Sequence, residues 1–182
     1  MERVIQHIVD QAWGPDVVDV HSAGTGALVG SPMDPEGLEI LRDRRVDTTD
    51  FVARQIAKEH VSSSNLVLTA TRAHRGPVST LHPRSLRYTF AVGDFVHLAS
   101  HIRDEDLPTT DDAAGWITEI AQLVAQRRGY VAPRESRVVD IVDPYRRGDD
   151  VWREMTQQLD GLWPGLTRAL GGDRHGSSRI EH

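Results

Sequence analysis

The sequence predicts an α/β fold with a small parallel sheet, on three observations. Residues 65–71 (NLVLTAT) form a short apolar run without alternation, the pattern of a strand covered on both faces. Strand-like and helix-like segments alternate with short connections, which sets parallel strands side by side under packed helices. Finally, 182 residues at 38% hydrophobic content amount to one ordinary domain with enough apolar material for a core.

Each element follows from local pattern. Residues 1–13 place Val4, Ile5, Ile8 and Val9 at helical spacing and stop at Gly14-Pro15, which predicts an opening amphipathic helix. Residues 17–21 (VVDVH) read as a short strand running into the turn Ser22-Ala23-Gly24-Thr25-Gly26. Asp34 is placed to cap a helix with Pro35 at its first position and Leu38, Ile40 and Leu41 inside, and Arg42 to Arg45 form its solvated end. Thr49 or Asp50 opens a second short helix over 50–59, with Phe51, Ala53, Ile56 and Ala57 on its apolar face. After the strand at 65–71, helices are predicted at 73–81, 92–102, 111–127 and 149–170. An extended piece over 137–142 ends at Asp143-Pro144, where proline stops regular structure. The domain spans 1–170, and the polar, glycine- and serine-rich residues 171–182 form a disordered tail.

Composition excludes several functions. Twenty-one basic side chains stand against 27 acidic ones, interspersed rather than blocked, which is not the footprint of a nucleic-acid or membrane-surface binder. No apolar run approaches the roughly 18 residues of a membrane span, and no secretory signal opens the chain, so a soluble cytoplasmic protein is expected. The chain contains no cysteine, which rules out disulfides, thiolate metal ligands and cysteine nucleophiles within it.

Three motifs, in order, carry a resemblance. They are His21-Ser22-Ala23-Gly24-Thr25-Gly26 followed by Gly30-Ser31-Pro32-Met33-Asp34-Pro35; Ala53-Arg54-Gln55-Ile56 followed by Asn65 to Arg75; and Val139-Asp140-Ile141-Val142-Asp143-Pro144-Tyr145. Their sequence and spacing resemble the low-molecular-weight protein tyrosine phosphatase family, over roughly residues 1–170. The resemblance implies the three-layer phosphotyrosine phosphatase I-like fold, with a small parallel sheet. It also implies hydrolysis of phosphotyrosine in two steps through a phosphocysteine, with no cofactor and no metal. A thiolate in a C-x5-R-[ST] loop attacks phosphorus, and an aspartic acid protonates the leaving phenolate and then activates water.

On the matching positions, Asp143 is the general acid and base, Tyr145 lines the phosphotyrosine slot, and Ser22 supports the phosphate loop. Phe51 stands where many members carry a histidine. The nucleophile, the arginine and the first strand have no counterpart. Residues 1–4 resemble those just after the missing loop, so the first strand is expected to be absent from the listed chain, with translation beginning upstream of Met1. The polypeptide as listed is therefore expected to be inactive, with a phosphotyrosine protein as substrate only if the front were restored. A chain supplying the missing strand is a further expected partner. The alternatives are a non-catalytic binding or regulatory relative and, less so, an arsenate reductase-like protein, which usually needs extra cysteines. Two other patterns are weaker. His97 and His101 share the i, i+4 spacing of a metal pair but lack the zincin glutamate, and Ser22, His74 and Asp143 lack the hydrolase elbow.

Overall fold

The computed structural model describes residues 1–172. Helix α1 (Glu2–Trp13) buries Val4, Ile8, Val9 and Ala12 on one face; Gly14 donates the last helical N–H to the Asp10 carbonyl and, with a positive φ of 98°, turns the chain out of the helix. Helix α2 (Pro35–Asp43) starts as its sequence dictates, with the Asp34 carboxylate accepting from the Glu36 N–H and Pro35 in the first turn. The expected solvated end of α2 is only partly so. Arg44 grips Asp160 with Nε at 3.1 Å and Nη2 at 2.7 Å, tying α2 to the final helix.

Among the described residues the sheet has two strands. Strand β1 (Val67–Thr69) lies parallel to β2 (Thr89–Ala91), pairing Val67 with Thr89, Leu68 with Phe90 and Thr69 with Ala91. Helix α4 (Arg75–Leu81) and a 3₁₀ helix (Pro83–Arg87) make the crossover, after α3 (Lys58–Ser62) has led into β1. Strand β2 was not foreseen. Its three residues run straight into α5 (Val92–Ala99), so the helical period of the following segment masks them.

Three expected elements are corrected. Residues 17–21 belong to no backbone ladder, and Val17 and Val18 lie in a bend. Instead the Gln6 carboxamide donates Nε2 to the Val18 carbonyl at 2.8 Å and accepts the Val20 N–H at 2.9 Å, and Glu2 accepts the Ser22 N–H at 2.7 Å. A carboxamide offers a donor and an acceptor side by side. It therefore bonds the groups flanking Asp19 as a residue of a neighbouring parallel strand would.

Residues 50–59 do not make the expected helix, because loop 24–31 takes their backbone groups sideways. Gly24 bridges Gln55, with Gly24 N–H on the Arg54 carbonyl and Ile56 N–H on the Gly24 carbonyl. The expected strand at 137–142 begins as the single helical turn α7 (Ser136–Val139). Only Ile141 then reaches the sheet, donating its N–H to the Ala70 carbonyl at 2.9 Å.

The core gathers Val4, Ile8 and Val9 of α1 with Phe90, Phe95, Ile102 and, from α6 (Ala113–Gln126), Trp116, Ile120 and Val124. Helix α8 (Asp149–Ala169) closes it with Leu166 and Leu170. Two indoles cap the carbonyl end of α8: Trp13 donates to Leu170 at 2.8 Å and Trp116 to Ala169 at 2.9 Å, with their rings edge-on at 5.7 Å. Gly171 and Gly172, the start of the expected tail, donate to Arg168 and Thr167. Residues 173–182 of that tail lie outside the described residues. No helix among the described residues is long and apolar enough to cross a membrane.

Candidate functional site

The Asp143 loop hangs from the carboxyl end of β1, the edge of a parallel sheet where α/β proteins place ligands. Asp143 itself is exposed, and its Oδ1 accepts the Tyr145 N–H at 3.0 Å, closing a turn over Pro144. Tyr145 is 47% exposed, with the Arg146 guanidinium 5.1 Å from its ring centroid.

What fixes this loop lies upstream of it. Asp140 accepts the Arg72 N–H at 2.8 Å, and the Arg72 guanidinium meets Asp94 in a two-pronged pair, Nε at 2.8 Å and Nη2 at 2.6 Å. Those bonds to Asp94 raise the Arg72 pKa above its ordinary value, against the opposing effect of burial. Downstream, the Val142 N–H donates to Gln158 of α8 at 2.9 Å. Gly93 is required beside them, because a Cβ there would overlap the Val139 carbonyl.

Sequence reasoning passed over Arg72, Asp94 and Asp140 as functional supports. The available signal was an arginine just past a buried strand with an aspartate in the first turn of α5.

Ser22 sits elsewhere, against the start of α1. Its N–H and its Oγ–H both donate to Glu2 Oε2, at 2.7 and 2.5 Å, and only 4% of the Glu2 side chain is exposed. Arg3 Nε stands 3.4 Å from the other carboxylate oxygen. This is a structural clasp in which one carboxylate holds the turn beginning at Ser22 by two hydrogen bonds. Among the described residues, hydrogen bonds join Ser22 to neither Asp143 nor Tyr145.

The two weaker patterns form no site: among the described residues Ser22, His74 and Asp143 are not joined by hydrogen bonds, and the His97 and His101 rings meet edge-on at 5.0 Å without a third ligand. His74 pairs with Thr71 at 2.8 Å, while His97 and His101 turn ring nitrogens to the carbonyls of Ala132 and His97. A groove of about 560 Å³ runs between α2 and α8, lined by Glu36, Glu39, Asp149 and Trp152 rather than by the Asp143 loop.

The chain matches the sequence model of the low molecular weight phosphotyrosine protein phosphatases over residues 1–122. The chain belongs to this family. The matched stretch includes Ser22 and stops before Asp143 and Tyr145. A 77-residue segment is 32% identical to the probable low molecular weight protein-tyrosine-phosphatase EpsP of Ralstonia nicotianae, covering 42% of this chain and 53% of that protein. The chain thus spans about half the length of the curated relatives it matches.

Solved structures of the phosphatase fold superpose over nearly all of the chain. Wzb of Vibrio vulnificus in complex with benzylphosphonate is 20% identical with a TM-score of 0.60, covering 92% of this chain and 86% of the other. The low molecular weight protein tyrosine phosphatase of T. tengcongensis is 21% identical with a TM-score of 0.61, over the same shares. The YwlE arginine phosphatase of Geobacillus stearothermophilus is 19% identical with a TM-score of 0.62, covering 100% of this chain and 91% of the other. At these identities the likeness establishes the phosphotyrosine phosphatase fold.

Proposed function

We propose that this chain is a phosphatase-fold protein that retains the acid loop of its family and does not itself turn over phosphotyrosine. The observation that carries the reading is the absence of cysteine from all 182 residues. In the family's chemistry a thiolate forms the bond to phosphorus as the bond to the phenolic oxygen breaks, and a carboxylic acid protonates that oxygen. Asp143 fills the role of that acid: it is exposed, set in a turn, and hung from the carboxyl end of the sheet. Tyr145 beside it is the aromatic wall of a phosphotyrosine slot. Ser22 is the residue that in the family supports the phosphate loop, and here its two hydrogen bonds to Glu2 hold the start of the turn at 22–26. The Ser22 hydroxyl is no stand-in for the thiolate, because it donates its proton to Glu2.

The purified 182-residue protein is expected to leave an aryl phosphate at the buffer rate of hydrolysis. Turnover above that rate, abolished in Asp143→Ala, would overturn the proposal.

One observation favours a binding or regulatory role over a merely inert one. Gln6 and Glu2 satisfy the half-buried backbone groups of Val18, Val20 and Ser22 from within the chain. A chain that closes its own edge is expected to elute as a folded monomer in size-exclusion chromatography. Aggregation or a random-coil circular dichroism spectrum would count against this second reading.

A further inference from the structure

The charges of this chain are interspersed along most of its length, but two stretches depart from that pattern. Its net charge is −6, yet residues 72–93 contain no aspartate or glutamate and hold Arg75, Arg84 and Arg87. Residues 120–134 again contain none and hold Arg127 and Arg128. The fold joins these two stretches. Arg128 donates Nη1 to the Leu86 carbonyl and Nη2 to the Thr89 carbonyl, both at 2.6 Å, and lies 4.0 Å over the Phe90 ring. Arg84 and Arg87 are three residues apart on the 3₁₀ helix Pro83–Arg87, where side chains at that spacing eclipse, so both exposed guanidinium groups rise on one face.

These arginines lack counter-charges at contact distance. Among the described residues none of the five makes an ion pair, although Arg44, Arg72, Arg103, Arg137 and Arg168 all do. The Nε atoms of Arg75 and Arg127 are shielded from water without a hydrogen-bond partner. Burial, and then the positive charge of Arg75, hold the Arg128 pKa below its usual value, which sets two like charges close together. An arriving anion relieves that repulsion and meets the exposed guanidinium forks of Arg84 and Arg87, while Arg128 stays bonded to its two carbonyls. Leu86, 45% exposed, and Tyr130, 89% exposed, flank the arginines and supply the apolar and aromatic contact common at protein interfaces.

We propose that the arginine face around the 3₁₀ helix, made of Arg75, Arg84, Arg87, Arg127 and Arg128, docks a carboxylate-rich segment of a partner protein. A short acidic segment suits the face better than a nucleic acid does. The remaining surface carries the negative excess and repels a long polyanion that must track past it. The inference is independent of phosphatase activity, since the face shares no residue with the Asp143 loop or the Ser22 clasp.

Isothermal titration calorimetry of the 182-residue protein decides it, using a short Glu- and Asp-rich peptide, its Gln and Asn counterpart, and a duplex oligonucleotide. The acidic peptide is expected to bind, with affinity falling as salt rises, and the amide counterpart to give no heat. The double variant Arg84→Glu with Arg87→Glu removes only exposed side chains and leaves the Arg128 bonds in place. It is expected to weaken peptide binding about tenfold or more, while Arg42→Glu on α2 leaves it unchanged. Circular dichroism confirms that both variants are folded. Absence of peptide binding, equal affinity in the double variant, or tighter binding of the oligonucleotide would each overturn the proposal.

Discussion

The two halves of this molecule are held together by different means. From β1 onward, backbone ladder and apolar core coincide: Phe90, Ala91, Val92 and Phe95 are at most 1% exposed, and the strand groups pair with one another. Between Gly14 and Ala57 the chain has one helix and one isolated bridge. There Asp16, Arg45 and Asp50 hold positive φ angles, and Leu28, Val29 and Val52 face solvent. That region is fastened at separate points by side chains reaching the backbone, namely Gln6 on Val18 and Val20, Glu2 on Ser22, and Gln55 on Thr25 and Ala27. A packed core shares a loss among many neighbours, whereas a clasp fails where it is cut.

The comparison breaks most visibly in the core. Phe95→Ala is expected to lower stability by about 3–5 kcal/mol in urea unfolding, across every probe at once. Gln6→Ala should act locally by comparison, leaving two backbone groups without partners for about 1–3 kcal/mol. Hydrogen exchange at the Val20 amide would accelerate strongly while that of Phe90 follows only the global change. Equal acceleration at both sites would show that the two halves are one cooperative unit.

Ser22→Ala removes only the hydroxyl arm of the Glu2 clasp and should cost roughly 1 kcal/mol, read by thermal melting. Asp143→Ala deletes an exposed carboxylate whose one hydrogen bond closes a turn, so stability is expected to stay within about 0.5 kcal/mol of the parent. A larger loss would make Asp143 a structural residue and weaken its assignment as an acid.

The smallest effect concerns Asp47, whose pKa is lowered first by the Thr49 N–H and then by the Thr49 hydroxyl. A lowered folded-state pKa contributes stability above the ordinary carboxylate range and loses it as pH falls through the lowered value. Thr49→Ala should move the Asp47 midpoint up in an NMR titration.

Elements whose determinants are local were legible in the sequence. Helices α1, α2, α6 and α8 were read from apolar spacing and from Asp34-Pro35, and β1 from its apolar run. Residues 17–21 read as a strand because three valines favour one locally, whereas local composition cannot show what the backbone bonds to. Here the partners are side chains of α1. Residues 50–59 failed for the complementary reason, since helical spacing of Phe51 and Ile56 cannot announce that loop 24–31 will take the Ala53 and Ile56 amides. The same division holds in the candidate site. Asp143-Pro144-Tyr145 is a turn any reader finds, while the Arg72 pair with Asp94 that steadies it joins residues 22 positions apart and leaves no local trace.

The two indoles at the carbonyl end of α8 give the protein a built-in optical gauge. Trp13 comes from the first helix and Trp116 from the sixth, and each is bonded to a neighbouring carbonyl of the eighth. Their emission therefore responds to whether the two ends of the chain are joined. Trp152, which lines the groove between α2 and α8, lies in a separate environment and supplies an internal reference within the same spectrum. Detachment of α1 from α8 would shift tryptophan fluorescence to longer wavelength with no label attached, and could be followed in the same cuvette as unfolding of the core.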